Sequence, residues 1–527
     1  MRKKIVTADI IFMSYNYVFN DIFRYMMKIG PLLKDSIIII DEAHNILNLC
    51  EDSKTSSIDY KHVLDSIEKM NKDKNILELI ETENYKKIKE KIENILEYLE
   101  IIKRYLLEFY EENKNEFNAT EYFTINKETL LYIFDSEIID GIIIIIEQYL
   151  KFLSTKYCTN KKLKKILNFI NFLTSIKNQE NDDFMFNVSL ITKKRKTKKN
   201  TENDINFRIN IYCFNPSLEF GEILAYNPYR IILTSGTLSP FDFFESQLNH
   251  NFYIKYQGNH IIKNDQLIFK LITNYRLPKE NPTNKEYHTF YFSHNTNNID
   301  FQYKILGYLL NDLCRVTPGG ILIFFTSFQK LNDCLSVWIN EGLYEKINSI
   351  KNIVYEKNKK SNFFELFKNN IDKGNGSIYF SVFRGKISEG INFNNNYARM
   401  LINVGIPFIY SENAKFYLKK EYFENKKEDF NQWYKNDAFF AMNQSCGRII
   451  RDKDDYGVIL NIDKRNQDNI NLFSGWLKNT NPQCEEYNCN LNENFENNIE
   501  NNKFIQEIEK FYKMKEIKKE DIFSNFN

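Results

Sequence analysis

Glycine and proline are scarce in this 527-residue chain, at 17 and 9 residues, which excludes collagen-like and Pro/Gly-rich low-complexity architectures. Cysteine is sparse and scattered, at Cys50, Cys158, Cys213, Cys314, Cys334, Cys446, Cys484 and Cys489. No C-x-x-C pair occurs, and the one close pair, Cys484 and Cys489, lies in an Asn-rich tail. That usage excludes a zinc ribbon or a disulfide framework and suits a reducing compartment. Long apolar runs are missing too. The stretch Ile142–Ile146 is closed by Asp140 and Glu147, far short of the roughly 20 residues that span a bilayer. After the basic start Met1-Arg2-Lys3-Lys4, Asp9 interrupts what would be a signal-peptide core. Net charge is almost absent, with 71 Lys+Arg against 70 Asp+Glu, so a polyanionic partner must be argued from local charge alone.

What the chain does have is apolar mass: 43% hydrophobic residues and 44 Phe, enough for several large cores. Its heavy use of Ile, Asn, Lys, Tyr and Phe follows A/T-rich codons, so Asn- and Lys-rich stretches carry little functional weight. The pattern divides the chain. Residues 1–52 hold two short apolar segments, Ile10–Met13 and Ile37–Ile40, in an α/β rhythm. Residues 53–205 read as an all-helical insertion, with Lys86–Tyr110 carrying Ile, Leu and Tyr at three- and four-residue spacing. Strand signals return at Phe207–Cys213 and Arg230–Leu233, making 206–245 a return to the first sheet. Residues 246–480 alternate helices with buried-type strands at Ile321–Phe325, Ser377–Val382, Met400–Val404 and Val458–Ile462. Such alternation implies a parallel sheet with helices on both faces, so the fold class is α/β in two sheet domains around a helical insertion. The tail, 481–527, reads as weakly ordered.

Four segments carry chemistry. The run Ile37–Ile40 delivers Asp41 and Glu42 to a sheet edge, followed by Ala43 and His44. Adjacent carboxylates there can hold Mg²⁺ on nucleotide phosphates and deprotonate an attacking water. A strand ending in an acidic helix cap has the same appearance. In Asn443–Arg451, helical spacing puts Gln444, Arg448 and Arg451 on one face beside Gly447, and two guanidiniums suit a γ-phosphate. A solvated basic face fits too, since Asp452, Asp454 and Asp455 follow. The loop Phe383–Phe393 includes Arg384, Gly385, Lys386, Glu389, Gly390 and Asn392, and its glycines let backbone amides approach an anion. Ser235, Gly236 and Thr237 follow the strand Arg230–Leu233, where small hydroxyls could link nucleotide to nucleic acid. The last two are also generic strand-to-turn junctions when read singly. Their order along the chain is what a two-domain nucleic-acid motor needs. The basic run Lys193–Lys199 fits phosphate contact, a nuclear-import signal or a solvated loop equally well.

Ala8–Tyr17, the D-E-A-H run at Asp41–His44, Thr234–Pro240, Arg384–Gly390 and Gln444–Gly457 together resemble the XPD-like, DEAH-box superfamily 2 helicases. Within that group, Cys213–Pro216 and Asn259–Asn264 look most like the Fanconi anemia group J branch, with the telomere-elongation-regulator branch next. The resemblance runs from about residue 8 to 480. It implies two RecA-like motor domains, the first incomplete here, and an Arch-type insertion. It implies ATP- and Mg²⁺-driven 5′ to 3′ unwinding of DNA in the nucleus, alongside repair or replication proteins, by enzymes that carry a 4Fe-4S cluster. Carried over by position, Asp41 serves Mg²⁺, Glu42 the water, and His44 and Gln444 the coupling of nucleotide to DNA. Ser235, Gly236 and Thr237 transmit closure, Arg448 and Arg451 face the γ-phosphate, and Thr326 and Ser327 lie near the DNA backbone. Three departures accompany the match. No G-x-x-x-x-G-K-[ST] occurs, the cluster's cysteines are absent, and Asn392 stands where the group carries Asp. The first two lead to the expectation that the amino-terminal part is missing and that this chain alone does not turn over ATP. The rival expectation is a catalytically dead remnant that binds DNA or partners. An RNA-remodelling enzyme is disfavoured by the size of the insertion.

Overall fold

Four consecutive isoleucines form the first strand. In the computed structural model of the protein, β1 (Ile37–Ile40) pairs in parallel with a strand almost two hundred residues later, with Ile37 opposite Arg230 and Ile40 opposite Leu233. The structure describes residues 7–77, 83–119, 122–134, 143–147, 149, 161–177, 183–191, 206–277, 287–293, 296, 298–355, 363–385, 393, 395–409, 414–489, 491 and 499–524. They divide into two units. Unit 1 comprises 1–234, 244–251 and 410–428, and unit 2 comprises 235–243, 252–409 and 429–527.

Unit 1 holds β1, β2 (Ser56–Asp59), β3 (Tyr122–Ile125), β4 (Phe184–Leu190), β5 (Phe207–Cys213) and β6 (Arg230–Leu233). β1 and β6 make a two-stranded sheet whose Ile37, Ile39 and Ile232 remain 58%, 66% and 47% exposed, so burial does not hold those side chains. Ile10–Met13, expected as a strand, is irregular, with Phe12 95% exposed and no described neighbour strand to pair with. The insertion does contain the expected long helix, spanning Glu83–Glu112, but it is not entirely helical. The order β2-β5-β4-β3 gives an antiparallel four-stranded sheet against the helices Tyr60–Leu77, Glu83–Glu112 and Lys161–Lys177. Helix residues Ile92, Ile95, Leu99, Ile102 and Leu106 recur every three to four positions and are buried, sharing one core with Ile209 and Ile211 of β5.

At the root of the insertion sits an ionic knot in which Arg24, Lys54 and Glu219 are buried while Glu222 stays half exposed. Arg24 reaches Glu219 at 2.6 Å and Glu222 at 2.8 Å, and Lys54 reaches Glu222 at 2.6 Å. The two carboxylates and two cations satisfy one another in a place where a lone charge would be costly. The helix Ala414–Asn425 belongs to the same unit. Its Lys419 meets Glu51 at 2.5 Å with both side chains about 5% exposed or less, and its Lys426 meets Asp183 at 3.1 Å.

Unit 2 is built on β7 (Leu267–Arg276), β8 (Tyr287–Thr289), β9 (Gly320–Phe325), β10 (Asn352–Tyr355), β11 (Ser377–Val382), β12 (Met400–Val404), β13 (Gly457–Ile462) and β14 (Gln483–Asn488). Their order is β10-β11-β9-β12-β13-β7-β14, parallel throughout, with β8 antiparallel on β7. β9, β11, β12 and β13 are buried at every position, as strands covered on both faces must be. Among its described residues the tail is not the weakly ordered segment that its composition suggested. β14 extends the sheet, and the helix Lys503–Ser524 buries Phe504, Ile505, Ile508, Phe511 and Tyr512 in the unit's core. The stretch 206–245 does not fall in one unit, since Phe244–Asn251 returns to unit 1 after a short excursion. Ser235–Phe243 clusters with unit 2, where Phe243 packs on Phe440 with ring centroids 5.5 Å apart.

Candidate nucleotide and nucleic-acid sites

The acid pair sits where β1 ends. Glu42 adopts φ +49°, a left-handed conformation that is uncommon for a residue with a Cβ. The turn is held from both sides. The Ala43 amide donates to the Thr234 carbonyl at 3.0 Å, and the Thr234 amide donates to the Ile40 carbonyl at 2.9 Å. The Glu42 amide donates to Asp41 Oδ1 at 3.0 Å, and His44 Nδ1 lies 3.3 Å from Glu42 Oε2. Asp41 and Glu42 are exposed, while Ala43 is buried and His44 nearly so. The result is two solvent-facing carboxylates on a pinned turn, with an imidazole bridging back to the second.

The S-G-T segment leaves that turn through Thr234 and belongs to unit 2. The Thr237 amide donates to Ser235 Oγ at 3.3 Å, and the two hydroxyl oxygens are 3.5 Å apart. Gly236 has a negative φ and open space where a Cβ would stand, so its own turn does not demand glycine.

The arginine segment needs a correction. The helix Phe430–Cys446 stops at Gly447, so Gln444 is helical but Arg448 and Arg451 lie in the turns beyond it. The Arg448 amide donates to Ser445, three residues back, which tightens the chain out of the α-helical pattern. Asp455 then draws the chain away, its Oδ2 accepting from the Arg451 amide at 3.0 Å and the Asp452 amide at 3.2 Å. Behind it, buried Arg399 lies 3.6 Å from Asp455 and 4.0 Å from the Tyr456 ring centroid. The tail helix closes the set, with Tyr512 Oη donating to the Arg399 carbonyl at 2.6 Å. Arg448 is half-buried and Arg451 exposed, set by a turn whose support comes partly from the carboxyl-terminal helix.

Arg384, at φ +59°, opens the Gly-rich loop and forks onto Asp437, at 3.2 Å and 2.5 Å. Asp437 precedes Gln444 by two helical turns, so the helix that anchors Arg384 also carries Gln444. Gly385 packs a would-be Cβ 3.0 Å from the Val382 carbonyl. Lys386, Glu389, Gly390 and Asn392 lie outside the described residues, as does the basic run Lys193–Lys199.

Thr326 and Ser327 end β9, and Ser327 caps the helix Phe328–Asn340 by accepting from the Lys330 amide at 3.2 Å. Three neighbours were not singled out from the sequence. Lys330 Nζ donates to the Phe292 carbonyl at 2.7 Å, and burial pushes its ammonium down to about 8. Asp463, fully buried at the end of β13, accepts from the Phe292 amide at 3.1 Å and from Arg465 Nε at 2.8 Å and Nη2 at 2.7 Å. Arg465 in turn lies over Tyr291 and Phe408, 4.5 Å and 5.6 Å from their centroids. Gly405, at φ +77°, permits this crowding, because a Cβ there would stand 3.1 Å from Phe292 and 3.3 Å from Thr326. An acid directly after a largely apolar run, the feature that flagged Asp41, also marks Asp463.

The acid pair and His44 therefore belong to unit 1, and the arginines, the loop and the Thr326–Ser327 helix cap to unit 2. Comparison with known proteins bears on both. Residues 310–480 match the model of the helicase C-terminal domain, and residues 1–63 match the DEAD_2 model. The chain is 27% identical over 543 residues to a regulator of telomere elongation helicase 1 homolog of Aedes aegypti, covering 94% of this chain and 52% of that protein. It is 29% identical over 537 residues to a Fanconi anemia group J protein homolog of Gallus gallus, covering 90% and 41%. The chain thus spans about half the length, or less, of these curated relatives. A solved XPD helicase matches with a TM-score of 0.53 at 17% identity, over 92% of this chain and 74% of that one. S. tokodaii Xpd4 matches with the same score at 15% identity, over 92% and 84%. At those identities the structural likeness establishes the α/β fold of the group.

Proposed function

Since the chain belongs to the XPD-like superfamily 2 helicases, we propose that it serves an ATP-dependent DNA helicase that moves 5′ to 3′ in nuclear DNA repair or replication. The observation that carries this reading is the pinned turn after β1, which holds Asp41 and Glu42 exposed side by side at a strand's carboxyl end. Asp41 offers hard carboxylate oxygens that fit Mg²⁺. Bound Mg²⁺ and ATP would supply the phosphoanhydride and the Lewis acid. Glu42 takes the proton of the attacking water, and His44, 3.3 Å from its Oε2, reports the state of that carboxylate. Arg448 and Arg451 meet the charge that develops on the transferred phosphoryl group. DNA follows the Ser327 end of β9, where the amino terminus of the helix Phe328–Asn340 favours a phosphate.

The described cysteines do not fit a 4Fe-4S cluster. Burial pushes the thiols of Cys213, Cys314, Cys446 and Cys489 up to about 12, away from the thiolate form a cluster needs. No group of three metal ligands occurs among the described residues. The 527 residues also hold no G-x-x-x-x-G-K-[ST] loop. That favours a second reading for this chain on its own, in which it binds DNA or protein partners without hydrolysing ATP. Strand displacement on 5′-tailed and 3′-tailed duplexes by the natural gene product tests the proposal. ATP-dependent unwinding confined to the 5′ tail supports it. DNA binding with no turnover selects the second reading.

A further inference from the structure

The turn that carries Arg451 is held at more points than an exposed turn needs. Its inner side is closed by Asp455, whose Oδ2 accepts from the Arg451 and Asp452 amides. Two residues distant in sequence then hold the Asp455 end of the turn. Gln266 closes the short 3₁₀ helix Asn264–Gln266 ahead of β7, and its Nε2 donates to two carbonyls, those of Lys453 at 2.7 Å and Asp455 at 2.8 Å. The other end of that amide is fixed as well, since Gln266 Oε1 accepts from the Lys263 amide at 2.7 Å. Arg399, just before β12, approaches from the buried side. Its Nη1 donates to the Tyr456 carbonyl at 2.8 Å and stands 3.6 Å from Asp455 Oδ1, while its Nη2 donates to Asn396 Oδ1 at 3.2 Å.

Stability alone is a poor reason for this frame. Arg399 and Asp455 are 2% and 1% exposed, and a buried ion pair gains little over apolar residues of similar volume. What the frame does secure is one backbone path. Rotation of the Asp455 carboxylate would give up the Arg451 amide, and the Gln266 and Arg399 bonds oppose that rotation by fixing the main chain on either side. Arg451 is thereby set at its base, and its head has to meet a charge that exists only in the transition state. Misplacing such a group by about 1 Å can cost on the order of 10²-fold in rate. We infer that Gln266 and Arg399 are positioning residues for Arg451, acting through Asp455. The inference rests on the reading of Arg451 as a group that meets the transferred phosphoryl charge.

A double-mutant cycle on ATP turnover by the natural gene product with single-stranded DNA tests it. Gln266→Glu keeps the side chain's size and its acceptor for Lys263, but turns an oxygen toward two carbonyls where a donor is needed. It should lower kcat roughly 10- to 100-fold, while KM for ATP and the affinity for DNA change less than about twofold. Gln266→Ala removes the donor without adding repulsion and should lower kcat roughly two- to tenfold. In an Arg451→Ala background neither substitution should lower kcat further, since no guanidinium is left to misplace. A general loosening of unit 2 would instead reduce turnover by the same factor in both backgrounds. That additive result, or wild-type kcat in Gln266→Glu, would overturn the assignment while leaving the motor reading in place. A wild-type product that turns over no ATP would remove the motor reading, and this assignment with it.

Discussion

Replacing Lys419 by Met should release the helix Ala414–Asn425 from unit 1, in a way that pH can tune. Lys419 and Glu51 meet at 2.5 Å with side chains 5% and 4% exposed. Without the ammonium, Glu51 keeps a buried charge with no adequate counter-ion, and breaking such a pair costs about 3–5 kcal/mol. Glu51 can escape by taking a proton. Burial already pushes its carboxyl above the usual range, although Lys419 opposes that shift. With a folded value above the unfolded one, the native state keeps the proton over a window in which the unfolded chain has lost it. Stability therefore falls as pH rises through that window. Lys419→Met removes the opposing charge and widens that window, so it should cost more stability at pH 8 than at pH 6. Hydrogen exchange of the amides in 414–425, read with denaturant unfolding at both pH values, measures this. Glu51→Gln/Lys419→Met should recover most of the loss, since no charge is then stranded. A cost below about 1 kcal/mol at pH 8, or one that does not change with pH, would refute the reasoning.

Two further outcomes are expected. Arg451→Ala in the natural gene product should lower DNA-stimulated ATP turnover roughly 10³- to 10⁵-fold while DNA affinity, read by anisotropy, stays near wild type. In unit 2, burial raises the carboxyl of Asp312 to about 6, against the opposing hydrogen bond from Tyr487 at 2.7 Å. Its folded value exceeds the unfolded one, so stability falls as pH rises from about 4 to about 6 and the full penalty holds above that. Asp312→Asn should therefore gain melting temperature over wild type at pH 7.5, keep part of that gain at pH 5 and lose it only near or below about pH 4. A pH-independent difference between the two curves would contradict the assignment.

Much of this architecture is legible in the sequence, for a simple reason. β1, β5, β6, β11 and β12 fall where unbroken or alternating β-branched and aromatic runs place them. Strands that rely on tertiary partners are hidden. β7 buries Lys270, which looks polar until Glu485 of β14 and Glu507 of the tail helix meet it at 2.7 Å and 2.8 Å. β14 itself, Gln483–Asn488, reads as a polar tail because an edge strand needs few apolar residues. The tail helix was hidden by its charge, although Phe504, Ile508 and Tyr512 recur at four-residue spacing. At the sites, residue identity signalled Asp41 and Glu42 but not the backbone. The helix that was to align Gln444, Arg448 and Arg451 ends at Cys446, and the side-chain bonds of Asp455 decide that. Asp463 and Arg465 escaped notice because their value lies in holding Phe292 against the end of β13, which spacing alone does not encode.

The proposed ATP-driven motor depends on Asp41 and Glu42 as its acid pair, and Glu42→Gln tests that pair most directly. The amide keeps the shape of the turn at φ +49° and leaves Asp41 free to hold Mg²⁺, but it cannot accept a proton. Steady-state ATP hydrolysis by the natural gene product with single-stranded DNA is compared between wild type and variant, with nucleotide binding measured in parallel. The expected result is retained Mg²⁺–ATP binding with turnover lowered at least about 10²-fold, as loss of a general base requires. Hydrolysis at an unaltered rate in Glu42→Gln would place the water-activating group elsewhere and contradict the assignment.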